Sequence, residues 1–323
     1  MKVLSDVSPP VQSFGFQYSS LPEKKAVVRL LELLPGDPDG KIRCELMDFE
    51  IKDADQKPYE ALSYVWGEGE GSTEITVNNE RMTIRPNLHL ALQSLRNQDS
   101  ARTFWVDAIC IDQNNNKERG HQVNLMKSIF QGAKGVVVWL GEDTEQTNIA
   151  MDSLNYLADV LDKFGVGQQE DLRSKSLLRI NVHHQEAVDG FRDLLQRQWY
   201  QRAWIVQEIA LARSATIMCG KKSVSAGIFS SLSWMLEKSV EISPIEPLLN
   251  VMPGFLRERK DSWWTLERDL FALLLKFRDS KTTEQRDKIY AFLGIASDIT
   301  NGNFEASYEI SEQDLVQDII SFL

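Results

Sequence analysis

Glu208 lies in the run Arg202-Ala203-Trp204-Ile205-Val206-Gln207-Glu208-Ile209-Ala210-Leu211-Ala212. On a helix, Trp204 and Glu208 are i and i+4, so ring and carboxylate share a face. The residues three and four positions away, Trp204, Ile205, Leu211 and Ala212, include no base. An acid among apolar neighbours is costly unless something satisfies it. Two roles fit such a group: electrostatic work on a bound ligand, or a hydrogen bond to a neighbouring loop that holds the fold together. Asp107 poses the same question within Phe104–Ile111, an otherwise apolar segment. A buried acid must be paired, and Arg119 or Arg202 would make it a structural anchor; the alternative is that it orients a ligand.

Other residues could line a pocket. Ser63, Tyr64, Trp66 and Gly67 end an apolar run, and the aromatics could either stack on a ligand ring or cap the core. Asp112 and Gln113 close the Phe104–Ile111 segment. Arg119 is a candidate contact for a diphosphate, although most helix arginines are solvated or salt-bridged. Gly67-Glu68-Gly69-Glu70-Gly71 has the glycines of a phosphate loop, but its two glutamates would repel pyrophosphate, so it reads as a lid or a turn. Cys110 has no evident histidine partner, and there is no Gly-x-Ser-x-Gly elbow. His183 and His184 are adjacent and point apart, His89 and His121 are poorly spaced, and no metal site is expected. A Walker lysine loop is missing.

The elements that must carry these residues alternate. Val28–Leu34 and Ile42–Leu46, with turn residues between, predict an antiparallel hairpin leading the domain. A second hairpin is expected at Ile75–Val77 and Met82–Ile84, around Asn78-Asn79. Strands are read at Tyr59–Trp66, Thr103–Ile111, Val136–Leu140 and Ala215–Cys219. Helices are read after Asn87 as cap, at Lys117–Gln131 and at Tyr200–Ala212. Strand–helix alternation predicts a parallel sheet with helices on both faces. Ligands of such sheets bind beyond the carboxyl ends of the strands. Residues 141–198 interrupt the pattern with helices at Thr144–Phe164 and Ala187–Gln196. Past 220 the chain turns helical, at Gly227–Lys238, Thr265–Phe277, Glu284–Ala296 and from Ser311 on. The organisation expected is a flexible arm over 1–25, an α/β core over 26–220 with its insertion, and a helical extension over 221–323.

Composition sets the boundaries of function. A chain of 323 residues with 42% hydrophobic and 26% charged content is globular with an ample core. A net charge of −11 argues against a nucleic-acid surface. Cys44, Cys110 and Cys219 lack metal spacing and read as reduced thiols of a cytoplasmic protein. No apolar run approaches the ~20 residues of a membrane span, and the N-terminus lacks a signal-peptide core.

Three segments resemble the signatures of heterokaryon incompatibility (HET) domains: Tyr59-Glu60-Ala61-Leu62-Ser63-Tyr64-Val65-Trp66-Gly67, Trp105-Val106-Asp107-Ala108-Ile109-Cys110-Ile111-Asp112-Gln113 and Arg202-Ala203-Trp204-Ile205-Val206-Gln207-Glu208. Supporting stretches are Glu118-Arg119 with Gln122-Val123, Val138-Trp139-Leu140-Gly141 and Arg286-Asp287-Lys288-Ile289-Tyr290-Ala291. The family more often has Asn where Asp112 stands. That family serves non-self recognition and cell death in filamentous fungi, which implies an incompatibility partner protein.

HET domains in turn resemble TIR domains, which implies a TIR-like (flavodoxin-like) parallel sheet. Tyr59–Tyr64 looks like the first TIR strand, and Trp204–Glu208 keeps the spacing of the TIR Trp and catalytic Glu. Arg202 departs from the pattern, where Ser is usual, as does the 141–198 insertion. Some TIR domains cleave NAD at the nicotinamide–ribose bond. The resemblance therefore implies a homo-oligomeric NAD glycohydrolase with no bound cofactor, NAD as substrate and Glu208 as catalytic carboxylate. Ser63, Tyr64, Trp66, Asp107, Arg119 and Trp204 would line the substrate site. A non-enzymatic death-signalling scaffold is the alternative.

Overall fold

A computed structural model of the chain describes residues 15–22, 25–37, 39–67, 73–164, 185–232, 245–253, 263–266, 268–300 and 304–323. Nine strands form one mixed sheet: β1 (Val27–Leu33), β2 (Arg43–Glu50), β3 (Glu60–Tyr64), β4 (Thr73–Val77), β5 (Glu80–Ile84), β6 (Arg102–Trp105), β7 (Gly135–Trp139), β8 (Ala215–Cys219) and β9 (Lys222–Ser225). Their spatial order is β5-β4-β2-β1-β6-β3-β7-β8-β9. The centre, β6-β3-β7-β8, is all parallel. β7 is buried along nearly its whole length, as a strand covered on both faces must be.

The sheet is wider and less uniform than alternation predicts. The leading hairpin does not stand apart: β1 pairs antiparallel with β6 and continues the sheet. Its apolar sequence accounts for this, since six of its seven residues are buried, Arg29 among them. The second hairpin is present, and Asn78 and Asn79 have φ of 50° and 66°. Both central residues of a primed turn require such values. Asn78 also exchanges two hydrogen bonds with Leu46, at 2.8 and 3.2 Å, tying the hairpin to β2.

Helices flank the sheet. They include α1 (Pro86–Leu95), α2 (Asp107–Cys110), α3 (Asn116–Gly132), α4 (Glu145–Phe164), α5 (Gln185–Gln196) and α6 (Ile205–Ala210). Beyond β9 follow α7 (Ala226–Ser230), α8 (Glu246–Leu249), α9 (Trp263–Leu266), α10 (Leu270–Lys276), α11 (Asp287–Leu293) and α12 (Glu312–Phe322). α4 and α5 pack closely over Gly190, where a Cβ would come within 2.0 Å of the Gln146 carbonyl oxygen.

Several expected elements are redrawn. The strand read over Thr103–Ile111 ends at Trp105, and the chain turns into the single turn of α2, with Asp107 at its start. A short apolar run does not distinguish strand from buried helix. Asn87 does not cap α1, which starts at Pro86. Its amide instead donates to Val65 O at 2.5 Å, and its oxygen accepts from Trp139 Nε1 at 3.4 Å. The helix read over Tyr200–Ala212 becomes a 3-10 turn, Gln198–Gln201, followed by the shorter α6. The break falls where Arg202 bridges to Lys281 and Ala203 N donates to Lys281 O at 3.1 Å, diverting the backbone.

Thr265–Phe277 is likewise split, with Asp269 capping α10 through Ala272 N at 2.9 Å. Of the Gly227–Lys238 helix only the first part is described, and residues 68–72, 183 and 184 lie outside the described residues. Within the expected arm, Tyr18 Oη donates to Ile109 O at 2.9 Å, and Ser19 O accepts from Arg29 at 2.5 Å.

Candidate functional site

The first parallel strand, β3, lies between the second and third, β6 and β7. Beyond the carboxyl ends of β3 and β6 opens a cleft of about 380 Å³. Val65, Trp66 and Gly67 follow β3 into it, Asp107 enters from the start of α2, and Glu208 enters from α6. The far wall comes from Lys281–Glu284, Asp287 and Tyr308.

Glu208 is 4% exposed. One carboxylate oxygen, Oε2, accepts a hydrogen bond from Ser63 Oγ, which in turn accepts from Trp199 Nε1 at 2.7 Å. The other, Oε1, lies 3.7 Å from Arg202 Nη2, and among the described residues no hydrogen bond reaches it. Burial pushes the Glu208 pKa up. The Arg202 charge and the Ser63 bond pull it down, and the Asp107 charge adds to the upward pressure. Asp107 behaves alike: burial raises it, while Arg202, the Trp66 indole, the Ala108 amide and Tyr64 oppose. Trp66 Nε1 donates to Asp107 Oδ2 at 2.8 Å, and Ala108 N to Oδ1 at 2.7 Å. One guanidinium thus serves two desolvated carboxylates that destabilise each other's charge.

The predicted site residues separate into two groups. Glu208, Asp107, Trp66, Trp204 and Arg119 line one cleft. Ser63 and Tyr64, 1% and 2% exposed, lie behind its wall, where they hold Glu208 and Asp107 respectively. Trp66 is pinned by its bond to Asp107 and carries Arg85 over its ring at 5.3 Å. Arg119 is committed elsewhere: Nη1 pairs with Glu284 at 2.7 Å, Nη2 donates to Asn116 at 3.1 Å, and Tyr308 stacks at 3.6 Å. Trp204 donates to Asp287, whose other bond comes from Tyr308 Oη at 2.6 Å. Asp112 N donates to Glu118 at 2.8 Å, and Asp112 does not line the cleft, whereas Gln113 does.

Sequence reasoning missed the far wall. Arg202 was visible as a possible partner of Asp107, but nothing in the spacing of Lys281, Thr282 or Tyr308 places them opposite residues more than seventy positions earlier. Among the described residues no group of three or more His, Cys, Asp or Glu side chains is placed to hold a metal. None of their helices is long and apolar enough to cross a membrane. The three cysteines are free and buried, and burial pushes the Cys44 and Cys110 thiols up to about 12.

Residues 59–208 match the family model of the heterokaryon incompatibility protein (HET). Across 92% of its length the chain is 28% identical to heterokaryon incompatibility protein 6, OR allele, of Neurospora crassa. Over the segment that carries Asp107 and Glu208, the chain is therefore similar to HET-domain proteins. It spans about half, 51%, of the length of that curated relative. No solved structure matches. The HET segment begins at Tyr59, just before β3, and ends on Glu208, so it contains Asp107 and Glu208, Arg202 and the Ser63–Trp199 support. The far wall of the cleft lies outside it.

Proposed function

We propose that this protein is an effector of programmed cell death in fungal incompatibility, acting as an NAD glycohydrolase with Glu208 as its catalytic carboxylate. The observation that carries the reading is the state of that side chain. It is desolvated and held from behind by Ser63, with Oε1 left without a hydrogen bond at the wall of a cleft beyond the sheet's carboxyl edge. The kinship with the incompatibility protein of Neurospora crassa supports the biological part. The parallel order second-first-third-fourth, and a Trp204–Glu208 pair preceding the fourth parallel strand, support the likeness to TIR domains.

Cleaving the nicotinamide–ribose bond builds positive charge on the ribose. A preorganised carboxylate stabilises such charge best where water is excluded. Nicotinamide leaves as a neutral base and needs no acid, so one carboxylate suffices. Trp66, with its indole N–H fixed on Asp107, offers a ring held for stacking against the departing nicotinamide. By likeness to TIR enzymes, activity would depend on self-association.

A second reading has its own support. Because Ser63 and Arg202 both engage Glu208, the acid could serve as a tie between β3 and α6 in a scaffold that recruits partners. Incubating purified protein with NAD over a concentration series and measuring nicotinamide release separates the two. Release that is lost in Glu208→Ala supports the enzyme, and no release at any concentration supports the scaffold.

A further inference from the structure

A second cavity, of about 790 Å³, opens on the other side of Arg202. Gln201 and Arg202 line both cavities, so the guanidinium stands between them. The chemistry of the two differs. The first sets the acids Asp107, Glu208, Glu284 and Asp287 against the bases Arg85, Arg119, Arg202 and Lys281. The second is lined by Arg192, Arg197, Arg202 and Lys276 against one acid, Asp279. Arg192 and Arg197 are engaged by Asp189 and Asp193, whereas Lys276 lies over the Trp263 ring at 5.4 Å with no carboxylate partner among the described residues. Among the described residues three buried donors of this lining lack a hydrogen-bond partner: Nη1 of Arg202, Oη of Tyr200 and Nε of Arg197, the last of them ion-paired with Asp193. Ile205, Val206, Leu248 and Phe277 supply an apolar wall.

We propose that Arg202 is a phosphate clamp. It grips the diphosphate of a dinucleotide whose ribosyl end faces Glu208 and whose other nucleoside occupies the second cavity. Tyr200 Oη donates to the same phosphates, Lys276 adds charge, and the apolar wall with Phe277 receives the base. The physical case is that unpartnered donors in a desolvated place are costly, and a ligand that satisfies them recovers that cost. A guanidinium meets phosphate oxygens in a fixed fork. Arg119, the arginine that sequence favours for this role, is neutralised by Glu284 and stacked on Tyr308, whereas Arg202 is the arginine that lines both cavities and has an unmet terminal donor, Nη1, among the described residues. The inference rests on the dinucleotide reading above, but it concerns binding and not cleavage.

ADP, which carries a diphosphate and no scissile nicotinamide bond, is the probe. Its affinity for the full 323-residue chain is measured by calorimetry at low and moderate salt. Arg202→Gln is expected to weaken ADP binding about tenfold or more and to flatten the salt dependence, since one charge-assisted contact is lost. Tyr200→Phe and Lys276→Gln keep the local packing and should each weaken it severalfold. Should Arg202→Gln fold poorly, these two decide. No ADP binding at millimolar concentration, or affinity unchanged in the variants, overturns the clamp. ADP binding without nicotinamide release from NAD leaves the clamp standing and removes the glycohydrolase. Nicotinamide release with an unaltered KM in Arg202→Gln does the reverse.

Discussion

Replacing Glu208 by glutamine keeps the size and the Ser63 hydrogen bond of the side chain and removes only its charge. Taking a carboxylate out of water costs several kcal/mol even after relaxation. Against this, a charge-assisted bond such as that from Ser63 contributes about 1.5–3 kcal/mol. The Arg202 guanidinium at 3.7 Å, partly exposed, contributes at most about 4 kcal/mol. The upward direction of the pKa says that burial is the larger influence. The wild-type protein therefore carries a net penalty at neutral pH, which the amide relieves.

The sign with pH follows from the same shift. Because the folded pKa lies above the unfolded value, the native state holds more protons across that interval. Stability is then fully present below the unfolded pKa and falls as pH rises through the folded one. The expected outcome is a Tm for Glu208→Gln above wild type at pH 8, by about 1.5 °C for each kcal/mol relieved in a chain of 323 residues, with the difference closing toward pH 4. Nicotinamide release in the same preparation should fall by about 10²–10³. Thermal denaturation across pH, beside the nicotinamide assay, reads both. A variant that melts several degrees lower at pH 8 would refute the reasoning, because Glu208 would then be a net-stabilising tie and not a strained functional group.

Two further substitutions probe what surrounds the acid. Ser63→Ala removes the hydroxyl shared by Glu208 and Trp199, both buried, and should cost about 2–4 kcal/mol by orphaning two polar groups; a denaturant midpoint unchanged from wild type would show that the chain of bonds is unimportant. Gly120→Val places a side chain where even a Cβ comes within 3.1 Å of Ala306 O, so the 304–308 segment should lift from α3 at about 1–3 kcal/mol, seen as earlier proteolytic cleavage near residue 306.

What could be read from the chain depended on how far apart the partners lie. Turn chemistry at Asn78-Asn79 is local and came through with its left-handed geometry. The buried acid in the Trp204–Glu208 run was legible because four residues of helix suffice to bring ring and carboxylate to one face, although here Trp204 stands at the cap of α6 and not in mid-helix. Asp107 was recognisable as a buried acid but misplaced in a strand, since Val106, Ile109 and Cys110 are as compatible with one helical turn as with an extended run. That β1 enters the main sheet is a long-range choice, made by its apolar sequence finding β6, and no nearby residue announces it. The engagement of Arg119 was hidden for the same reason. Glu284 and Tyr308, which occupy Arg119, lie 165 or more positions later in the chain.

The far wall of the cleft has its own anchorage. Asn124 exchanges two hydrogen bonds with the Ala306 backbone, and Tyr290 Oη holds Ser307 O at 2.7 Å, so this wall is fastened to α3 independently of the acid. The cleft's buried acids and its far wall therefore come from separate stretches of the chain. Substitutions in the 304–308 segment can reshape the mouth of the cleft while leaving Glu208, Ser63 and Trp199 untouched.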